Sequence, residues 1–192
     1  MSTTEATALS PEPGQQTAPV ALQLAVSGTE LDEIIKLRKS SYASVYPSMD
    51  LDNDVLDEQA IILFTRNGAG GIDSTARLSL EGRHPLPEHE YLAEYHEKGR
   101  KLMEWGRFVI ENHERRLLKA YYRAVYTLGM HLWIDAVIMA MKPRNIAMHQ
   151  SLMGLRILAA DTGVTYGGKH SLACVSWELS STQPEFFKWI QE

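Results

Sequence analysis

The sequence predicts an α/β (α+β) domain in which helices flank a central sheet, and the order of its elements is the first reason. Stretches with strand and helix periodicity follow one another as β-α-β-β-insert-β-α-β-α-β-β, with a parallel partner for the central strand beyond the next helix. The second reason is size, because 192 residues, 44% of them hydrophobic, build one core without disulfides. Since no repeat or interior linker divides the chain, we expect one domain over residues 20–182, a disordered leader over 1–19 and a C-terminal tail over 183–192.

The central strand, Leu102–Ile110, carries two charged residues within an apolar stretch. Charges in a core strand are costly unless they are paired, so Glu104 and Arg107 require an explanation. Residues three apart in a regular strand point to opposite faces, and Gly106 between them is where a bulge can change that. This stretch by itself leaves two interpretations open: a bulged strand beside an active site, and a structural ion pair at a strand end.

Composition and charge exclude several kinds of protein. The formal net charge of −5 argues against a general nucleic-acid binder, since affinity for phosphate backbones needs clustered lysines and arginines. The single cysteine, Cys174, excludes an internal disulfide and a multi-cysteine metal site, and its apolar surroundings predict a core thiol. The acidic run 50–58 lacks the glycine and terminal glutamate of a calcium loop, so we expect a solvated loop and no metal.

No segment has the pattern of a membrane span or a signal peptide. The best apolar run, 132–141, is too short to cross a bilayer and contains Asp135. The first 19 residues have neither the basic nor the apolar region of a signal peptide. We therefore expect a cytoplasmic protein with no membrane span.

Local patterns place the individual elements. Residues 21–26 alternate as a strand, and Thr29 is the expected N-cap of a helix that runs to about Val45, where Pro47 ends it. The aromatic tail 184–192 either packs back onto the domain or docks elsewhere. The other predicted elements are strands 60–65 and Ile72–Leu80, a polar helical insert 88–100, a helix 115–133, a strand 133–141, a helix 145–160 capped at Thr162 and Gly163, and strands 164–166 and 171–179.

Four short motifs occur in a characteristic order: Leu37-Arg38-x-x-x-Tyr42, Asp52-x-Asp54-x-x-Asp57, Ala76-Arg77-Leu78 and Glu104-x-x-Arg107-Phe108. Their order and spacing resemble the GNAT acyltransferase superfamily, and within it the acyl-homoserine-lactone synthases and the related N-acyl amino acid synthases. The resemblance implies a GNAT-like mixed, mostly antiparallel sheet. In this fold a central parallel strand pair splays apart to form the acyl site.

The resemblance also implies a role for each motif. In these families the corresponding residues surround the acceptor amine, which must lose a proton before it attacks a thioester. By this analogy Glu104 and Arg107 are the expected catalytic residues, with Glu104 as proton acceptor. The arginines are suited to hold an acceptor carboxylate in a fork. The residues expected to bind the acceptor are Arg38, Tyr42, Asp54, Asp57 and Arg77.

On the donor side, the resemblance implies a thioester from acyl carrier protein. A GNAT that uses coenzyme A follows the central strand with a glycine-rich turn for the pyrophosphate, whereas residues 111–116 contain no glycine. We expect acyl-phosphopantetheine as donor substrate and no tightly bound cofactor. Backbone N–H groups of Phe108, Val109 and Ile110 are the expected oxyanion site, Val137 and Met139 the expected acyl tunnel, and Arg115, Arg116, Lys119 and Arg144 the expected docking charges for the carrier.

Two departures from the family pattern bear on the chemistry. Many GNAT enzymes place a tyrosine general acid where this chain has Gln150, and the neighbouring His149 is more typical of a surface histidine than of a substitute. Lactone synthases usually carry a tryptophan, which helps to hold S-adenosylmethionine, where this chain has Ser48. The second departure lowers the case for a lactone synthase.

The expected function is an N-acyltransferase that moves a fatty acyl group from acyl carrier protein to the amine of an amino acid or similar small amine. The first alternative is an acyl-homoserine-lactone synthase that uses S-adenosylmethionine. The second is a non-catalytic GNAT-fold module that binds an acyl chain or a protein partner. The charged motifs argue against the second alternative, because buried charges without a use only destabilise a fold.

Overall fold

The computed structural model describes residues 20–52, 54–82, 84–111 and 114–191, and the expected leader lies outside them. Among these residues, no helix is both long and apolar enough to cross a membrane. The strands are β1 Gln23–Leu24, β2 Ile61–Arg66, β3 Ile72–Leu80, β4 Leu102–Ile110, β5 Ala136–Met141, β6 Arg156–Ala159 and β7 Ala173–Glu178. The α-helices are α1 Gly28–Tyr42, α2 Ala93–Glu97, α3 Arg115–His131, α4 Pro143–Met153 and α5 Pro184–Gln191.

The strands form one sheet in the order β1-β2-β3-β4-β5-β7-β6. Every neighbouring pair is antiparallel except β4 and β5, which are parallel. Their pairing begins at Leu102 with Ala136 and ends at Glu104 with Ile138, although both strands continue beyond this point. The prediction of a mixed, mostly antiparallel sheet with a splayed central pair is therefore confirmed.

The two faces of the sheet are covered by different helices. Glu104 and Trp105 are adjacent on β4 and point to opposite faces. The Glu104 face lies under α1 and the insert between β3 and β4, whose Leu86 and Leu92 pack against Ile138. On the Trp105 face, α3, α4 and α5 enclose the larger core, whose buried members include Met103, Tyr121, Val125, Val137, Trp177 and Phe186.

Helix α1 begins and ends earlier than predicted. Ser27, and not Thr29, is the N-cap, because Ser27 and Glu30 form a capping box. The Ser27 hydroxyl accepts a hydrogen bond from the Glu30 amide at 3.3 Å, and the Glu30 carboxylate accepts one from the Ser27 amide at 3.1 Å. The helix ends at Tyr42, and a turn leads on to Val45.

The predicted helix 145–160 and strand 164–166 are wrong. Helix α4 ends at Met153, because Gly154 adopts the left-handed conformation with φ 78° and serves as the C-cap in place of Thr162 and Gly163. The next residues, Arg156–Ala159, form edge strand β6, which pairs with β7. The apolar residues of this segment fit a helical period and a strand equally well, so periodicity alone could not separate them.

The C-terminal tail packs back onto the domain as helix α5. Its Phe186 and Ile190 are buried in the larger core, against residues of α3. The guanidinium of Arg123 on α3 donates a hydrogen bond to the carbonyl of Ile190. Of the two positions that the sequence left open for this tail, the structure has the packed one.

Candidate active site

A bulge in β4 creates the geometry of the site. Gly106 pairs with Arg77 and Val109 pairs with Thr75, so both Arg107 and Phe108 lie opposite the single residue Ala76. Arg107 has a φ of 50°, a left-handed conformation that a non-glycine residue rarely adopts. The bulge expected at Gly106 is thus present, centred one residue later.

Gly106 makes room for the carboxylate of Glu104. A Cβ atom on residue 106 would lie 1.8 Å from Glu104 Oε1, which no structure tolerates. The Glu104 side chain therefore lies directly over the glycine backbone. This close approach is a packing reason for glycine at this position, in addition to the bulge that follows it.

Arg77 on β3 holds Glu104 in a two-point contact. The Arg77 Nε atom donates to Glu104 Oε2 at 3.2 Å, and Nη2 donates to Oε1 at 3.0 Å. Arg77 is fully buried and Glu104 is 4% exposed. Such a fork fixes the position and the plane of the carboxylate, which a single hydrogen bond cannot do.

Two aspartates from the acidic loop complete the network behind this pair. Asp54 Oδ2 lies 2.5 Å from Arg77 Nη1 and accepts from Arg107 Nε at 2.8 Å, so it bridges the two arginines. Asp57 Oδ2 accepts from Arg38 Nη1 of helix α1 at 2.6 Å, and Asp57 Oδ1 lies 3.7 Å from Arg77 Nη1. The loop expected to be solvated is in this part buried, because its carboxylates pair with arginines.

The charges of the network compensate one another. Burial works to lower the pKa of Arg77, but Glu104, Asp54 and Asp57 outweigh it and raise the pKa. Burial would raise the pKa of Asp54, yet Arg77 and Arg107 together lower it. Three arginines thus face three carboxylates in a largely dry environment, and each of the six groups takes part in at least one ion pair.

A cavity of about 550 Å³ occupies the gap between the splayed strands and is lined by residues from both faces of the sheet. Glu104 lies on its α1 side, whereas Tyr122 of α3 and His149 of α4 lie on the opposite side. No cluster of three or more metal-ligating side chains forms in the part of the chain that the structure describes. The cavity is lined mainly by Tyr42, Tyr46, Glu88, Glu104, Trp105, Arg107, Phe108, Leu118, Tyr122, Met139, Met141, Arg144, Met148, His149 and Tyr166.

The predicted site residues divide into those that line the cavity and those that lie behind its wall. The lining includes Tyr42, whose hydroxyl donates to the Phe108 carbonyl at 3.1 Å and whose pKa is raised to about 12 by burial. The residues that lie behind the wall are Arg38, Asp54, Asp57 and Arg77, and they form ion pairs with one another, Glu104 and Arg107. None of these four lines the cavity, whereas Glu104 and Arg107, with which they are paired, do.

The residues expected to form the acyl tunnel and the oxyanion site also divide into those that line the cavity and those that do not. Met139 lines the cavity, but Val137 is fully buried within the larger core and is not part of the lining. Phe108 lies in the bulge and lines the cavity, whereas Val109 and Ile110 are paired with β3 beyond it. Phe108 and Met139 are thus the members of these two sets at the gap itself.

Comparison with known proteins identifies the family. A family model described as N-acyl amino acid synthase FeeM matches residues 33–173, which contain the four charged motifs. The chain belongs to the FeeM family. A search of the curated proteins found no match.

Solved structures agree with FeeM-family membership at the level of the fold. FeeM itself, an N-acyl amino acid synthase from uncultured soil microbes, is 18% identical with a TM-score of 0.73, covering 91% of this chain and all of FeeM. The acyl-homoserine-lactone (AHL) synthase LasI is 13% identical with a TM-score of 0.67, covering 90% of this chain and 96% of LasI. An N-acetyltransferase from Lactobacillus plantarum is 14% identical with a TM-score of 0.55, covering 84% and 99%. Family and fold together support an N-acyltransferase.

In this FeeM-family chain, the expected docking charges are not equivalent. Arg115 and Arg116 are exposed at the start of α3, and Arg144 is exposed in the first turn of α4 beside the cavity. Lys119 is 8% exposed, and its ammonium lies 5.6 Å from the ring centre of Trp189 in a cation–π contact. Lys119 therefore packs against α5, unlike the three exposed arginines.

A second, apolar pocket of about 490 Å³ adjoins the cavity on the Trp105 face of the sheet. It lies between α3, α4 and α5, and it shares the side chains of Leu118, Tyr122 and Met148 with the cavity. Leu152 and Trp189 complete its apolar walls. The apolar space next to the gap therefore extends beyond the cavity itself.

Sequence reasoning missed Glu88, which follows Pro87 in the insert between β3 and β4. Glu88 is 7% exposed and lines the cavity together with Glu104. No described group donates a hydrogen bond to its Oε2 atom. Burial and the nearby charge of Glu104 raise the pKa of Glu88 to about 7. Nothing in the sequence separates this glutamate from Glu90 and Glu94, which are exposed.

The expectation that His149 is a surface residue is wrong. His149 is 8% exposed, and its Nδ1 atom donates to the Asn145 carbonyl at 2.7 Å, so Nε2 accepts from the Tyr122 hydroxyl. Burial lowers the pKa of His149 against the opposing effect of the Asn145 carbonyl. This neutral pair forms the wall of the cavity opposite the charged network.

Proposed function

We propose that the protein transfers a fatty acyl group from an acyl carrier protein thioester to the amine of an amino acid or similar small amine. The observation that carries this proposal is the cavity through the sheet. It has a fixed carboxylate and an arginine on one face and apolar walls on the other. A charged acceptor and an acyl thioester therefore have separate approaches to one gap.

The acceptor side has the groups that an amino acid requires. Glu104, directly or through a water, is the proposed acceptor of the proton that the ammonium loses before attack. Arg107 lines the cavity and is suited to bind the carboxylate of the amino acid. Arg38, Asp54, Asp57 and Arg77 act indirectly, by holding Glu104 and Arg107 in place.

The other side of the cavity is the proposed binding site of the thioester donor. We place its carbonyl in the gap beyond the last paired residues of β4 and β5, where the backbone N–H of Phe108, in the bulge that lines the cavity, is the proposed oxyanion donor. Met139 and the apolar walls beyond it are the proposed surroundings of the acyl chain. Attack by the amine breaks the C–S bond and releases the carrier thiol.

Acyl carrier protein is the proposed donor because the segment after β4 is unsuited to the pyrophosphate of coenzyme A. Residues 111–116 contain no glycine and two glutamates, which oppose an anion at the start of α3. The exposed Arg115 and Arg116 are the proposed contacts for the acidic surface of the carrier. Arg144 lies beside the path of the phosphopantetheine arm in this arrangement.

The test is an assay of thiol release and of acylated product by mass spectrometry. Decanoyl and palmitoyl thioesters of acyl carrier protein and of coenzyme A are each combined with a panel of amino acids. We expect N-acyl amino acids from the carrier-bound donor, and a fall in kcat of about a hundredfold in Glu104→Gln. Glu90→Gln, an exposed glutamate of the insert, is the matched control and keeps full activity.

The other outcomes distinguish the alternatives. Methylthioadenosine and an acyl lactone formed from S-adenosylmethionine would make the protein a lactone synthase. Equal rates with the coenzyme A thioesters would remove the carrier protein from the proposal. Binding of acyl thioesters without any product would leave a non-catalytic module.

A further inference from the structure

We propose that Glu88 is a second catalytic carboxylate of this cavity, and that it takes up the proton which the acceptor ammonium loses through Glu104. The inference rests on the N-acyltransferase function proposed above and assigns its proton-transfer step. Glu88 comes from the insert between β3 and β4 and faces the same cavity as Glu104 of the central strand.

The first argument is the different environment of the two glutamates. Both oxygens of Glu104 accept hydrogen bonds from Arg77, so this carboxylate is fixed in place with its charge compensated. Glu88 Oε2 is buried, lines the cavity and has no hydrogen-bond partner among the described groups. A buried carboxylate oxygen without a donor is costly, and a ligand that donates a proton or hydrogen bond to it relieves that cost.

The second argument is the charge balance. Arg38, Arg77 and Arg107 are paired with Asp54, Asp57 and Glu104, which leaves Glu88 as an additional carboxylate beside a balanced network. An ammonium that enters the cavity supplies the missing positive charge. The site therefore favours a cationic acceptor when Glu88 is ionised.

The third argument is the ionisation behaviour of Glu88. The groups that face it are Glu104 and Arg107 of β4, Arg77 of β3 and Cys174 of β7. Burial and Glu104 raise its pKa to about 7, and the two arginines oppose this rise. A base with a pKa near the working pH is well matched to proton transfer, since it both takes up and releases the proton readily.

The chemical steps balance with these groups alone. The ammonium gives one proton to Glu104, which passes it to the Glu88 carboxylate, leaving a neutral amine. The amine lone pair attacks the thioester carbonyl, and collapse of the adduct breaks the C–S bond, whose electron pair leaves with sulfur. The second proton from nitrogen goes to the thiolate, and Glu88 releases its proton to solvent as the amide departs.

The experiment compares the purified wild-type protein with Glu88→Gln, Glu88→Asp and the control Glu90→Gln. Decanoyl-acyl carrier protein is the donor, and the acceptor is the amino acid with the highest turnover in the panel above. We expect Glu88→Gln to lower kcat by about a hundredfold with little change in the acceptor KM, and Glu88→Asp to regain part of the loss. We expect the kcat/KM of the wild type to rise with pH through about 7, where Glu88 ionises. In Glu88→Gln we expect this pH dependence of kcat/KM to be absent.

Three results would overturn the proposal. If Glu88→Gln raises KM and leaves kcat unchanged, Glu88 only binds the acceptor. If its kcat and pH profile equal those of the wild type, Glu88 has no part in catalysis, and the N-acyltransferase function stands without it. If the wild type itself forms no product with any amino acid, this inference fails together with the proposed function. Thermal unfolding of each variant establishes that a lost rate does not come from a lost fold.

Discussion

At the scale of single residues, the two glutamates that line the cavity differ in how far the sequence reveals them. Glu104 belongs to a motif with Arg107, and a charged pair within an apolar strand can be recognised from the sequence. Glu88 lies in a polar insert, and its burial follows from the way Leu86 and Leu92 anchor that insert over the sheet. Its environment is a product of tertiary packing, so it could be found only from the structure.

The raised pKa of Glu88 has a consequence for stability that is independent of activity. The folded protein binds a proton at Glu88 up to a pH of about 7, whereas the unfolded chain binds it only below its ordinary pKa of 4.5. Stability from this group is therefore present at low pH and is lost as the pH rises between these values. At higher pH the folded state holds a buried, poorly compensated charge.

We expect Glu88→Gln to remove this pH dependence. Relative to the wild type, the variant gains up to roughly 3 kcal/mol in free energy of unfolding at about pH 8 and little or nothing at about pH 4. Urea unfolding at both pH values measures the difference, with Glu90→Gln as control. A variant that is less stable than the wild type at the higher pH would show that Glu88 is satisfied in the fold.

Another single-residue prediction concerns the wall on the donor face. Tyr122→Phe removes the hydroxyl that donates to His149 Nε2 and leaves this buried acceptor without a partner. The expected loss in free energy of unfolding is about 1–3 kcal/mol, measured by urea denaturation. Tyr91→Phe, at a less buried tyrosine of the insert, is the comparison and should cost less. Equal losses in the two variants would contradict a structural role for the pair.

At the scale of elements, the bulge of β4 and the glycine before it form one device. The bulge lets Glu104 and Arg107 contribute to one network despite their spacing of three residues, and Gly106 allows the Glu104 carboxylate to lie over the strand. The sequence predicted the strand Leu102–Ile110 and indicated Gly106 as the place where a bulge could interrupt it. It could not predict that the residue in the left-handed conformation is Arg107, because glycine is the usual occupant of that region.

Gly106→Ala tests this device. The new Cβ atom would collide with Glu104 Oε1, so the carboxylate must leave its position against Arg77. We expect a fall in kcat of about a hundredfold, since a displacement of this size is enough to misplace a catalytic group. Gly68→Ala, in a turn with no neighbour near the new atom, is the matched control. Unchanged kcat in Gly106→Ala would show that the position of Glu104 is not critical.

Other elements show where sequence patterns fail. The limits of β3 and β4 agreed with prediction because apolar runs, turns and charges all marked them. Helix α4 and strand β6 were merged into one predicted helix, although Gly154 marks the true end. A glycine inside an apolar periodic segment is tolerated often enough in helices that its role as a cap is decided by the pairing of the following residues with β7.

At the scale of the whole molecule, the C-terminal helix α5 packs into the larger core and also lines the apolar pocket. Phe186 is fully buried beside Trp177, with ring centres 4.9 Å apart, while Trp189 forms a wall of the apolar pocket. The sequence indicated an aromatic tail but left its position open. Its docking depends on a surface of α3 and α4 that exists only after those helices have packed on the sheet.

We expect Phe186→Ala to lower the free energy of unfolding by about 3–5 kcal/mol, the usual cost of truncating a fully buried aromatic residue. Lys188→Ala on the exposed side of the same helix should change it by less than about 0.5 kcal/mol. Chemical denaturation of both variants makes the comparison. A small effect of Phe186→Ala would mean that α5 detaches without disturbing the core.

The passage through the sheet, finally, bears on the order of events in a catalytic cycle. In the proposed reaction the amine approaches from the α1 face and the thioester from the α3 and α4 face, so neither substrate has to leave before the other enters. Both substrates can be bound together in a ternary complex, and no covalent acyl-enzyme intermediate is needed. Initial-rate plots at several fixed concentrations of the second substrate should then give lines that intersect, and parallel lines would indicate an acylated enzyme instead. A saturating concentration of one substrate should not by itself prevent binding of the other, because the two approach from opposite faces of the sheet.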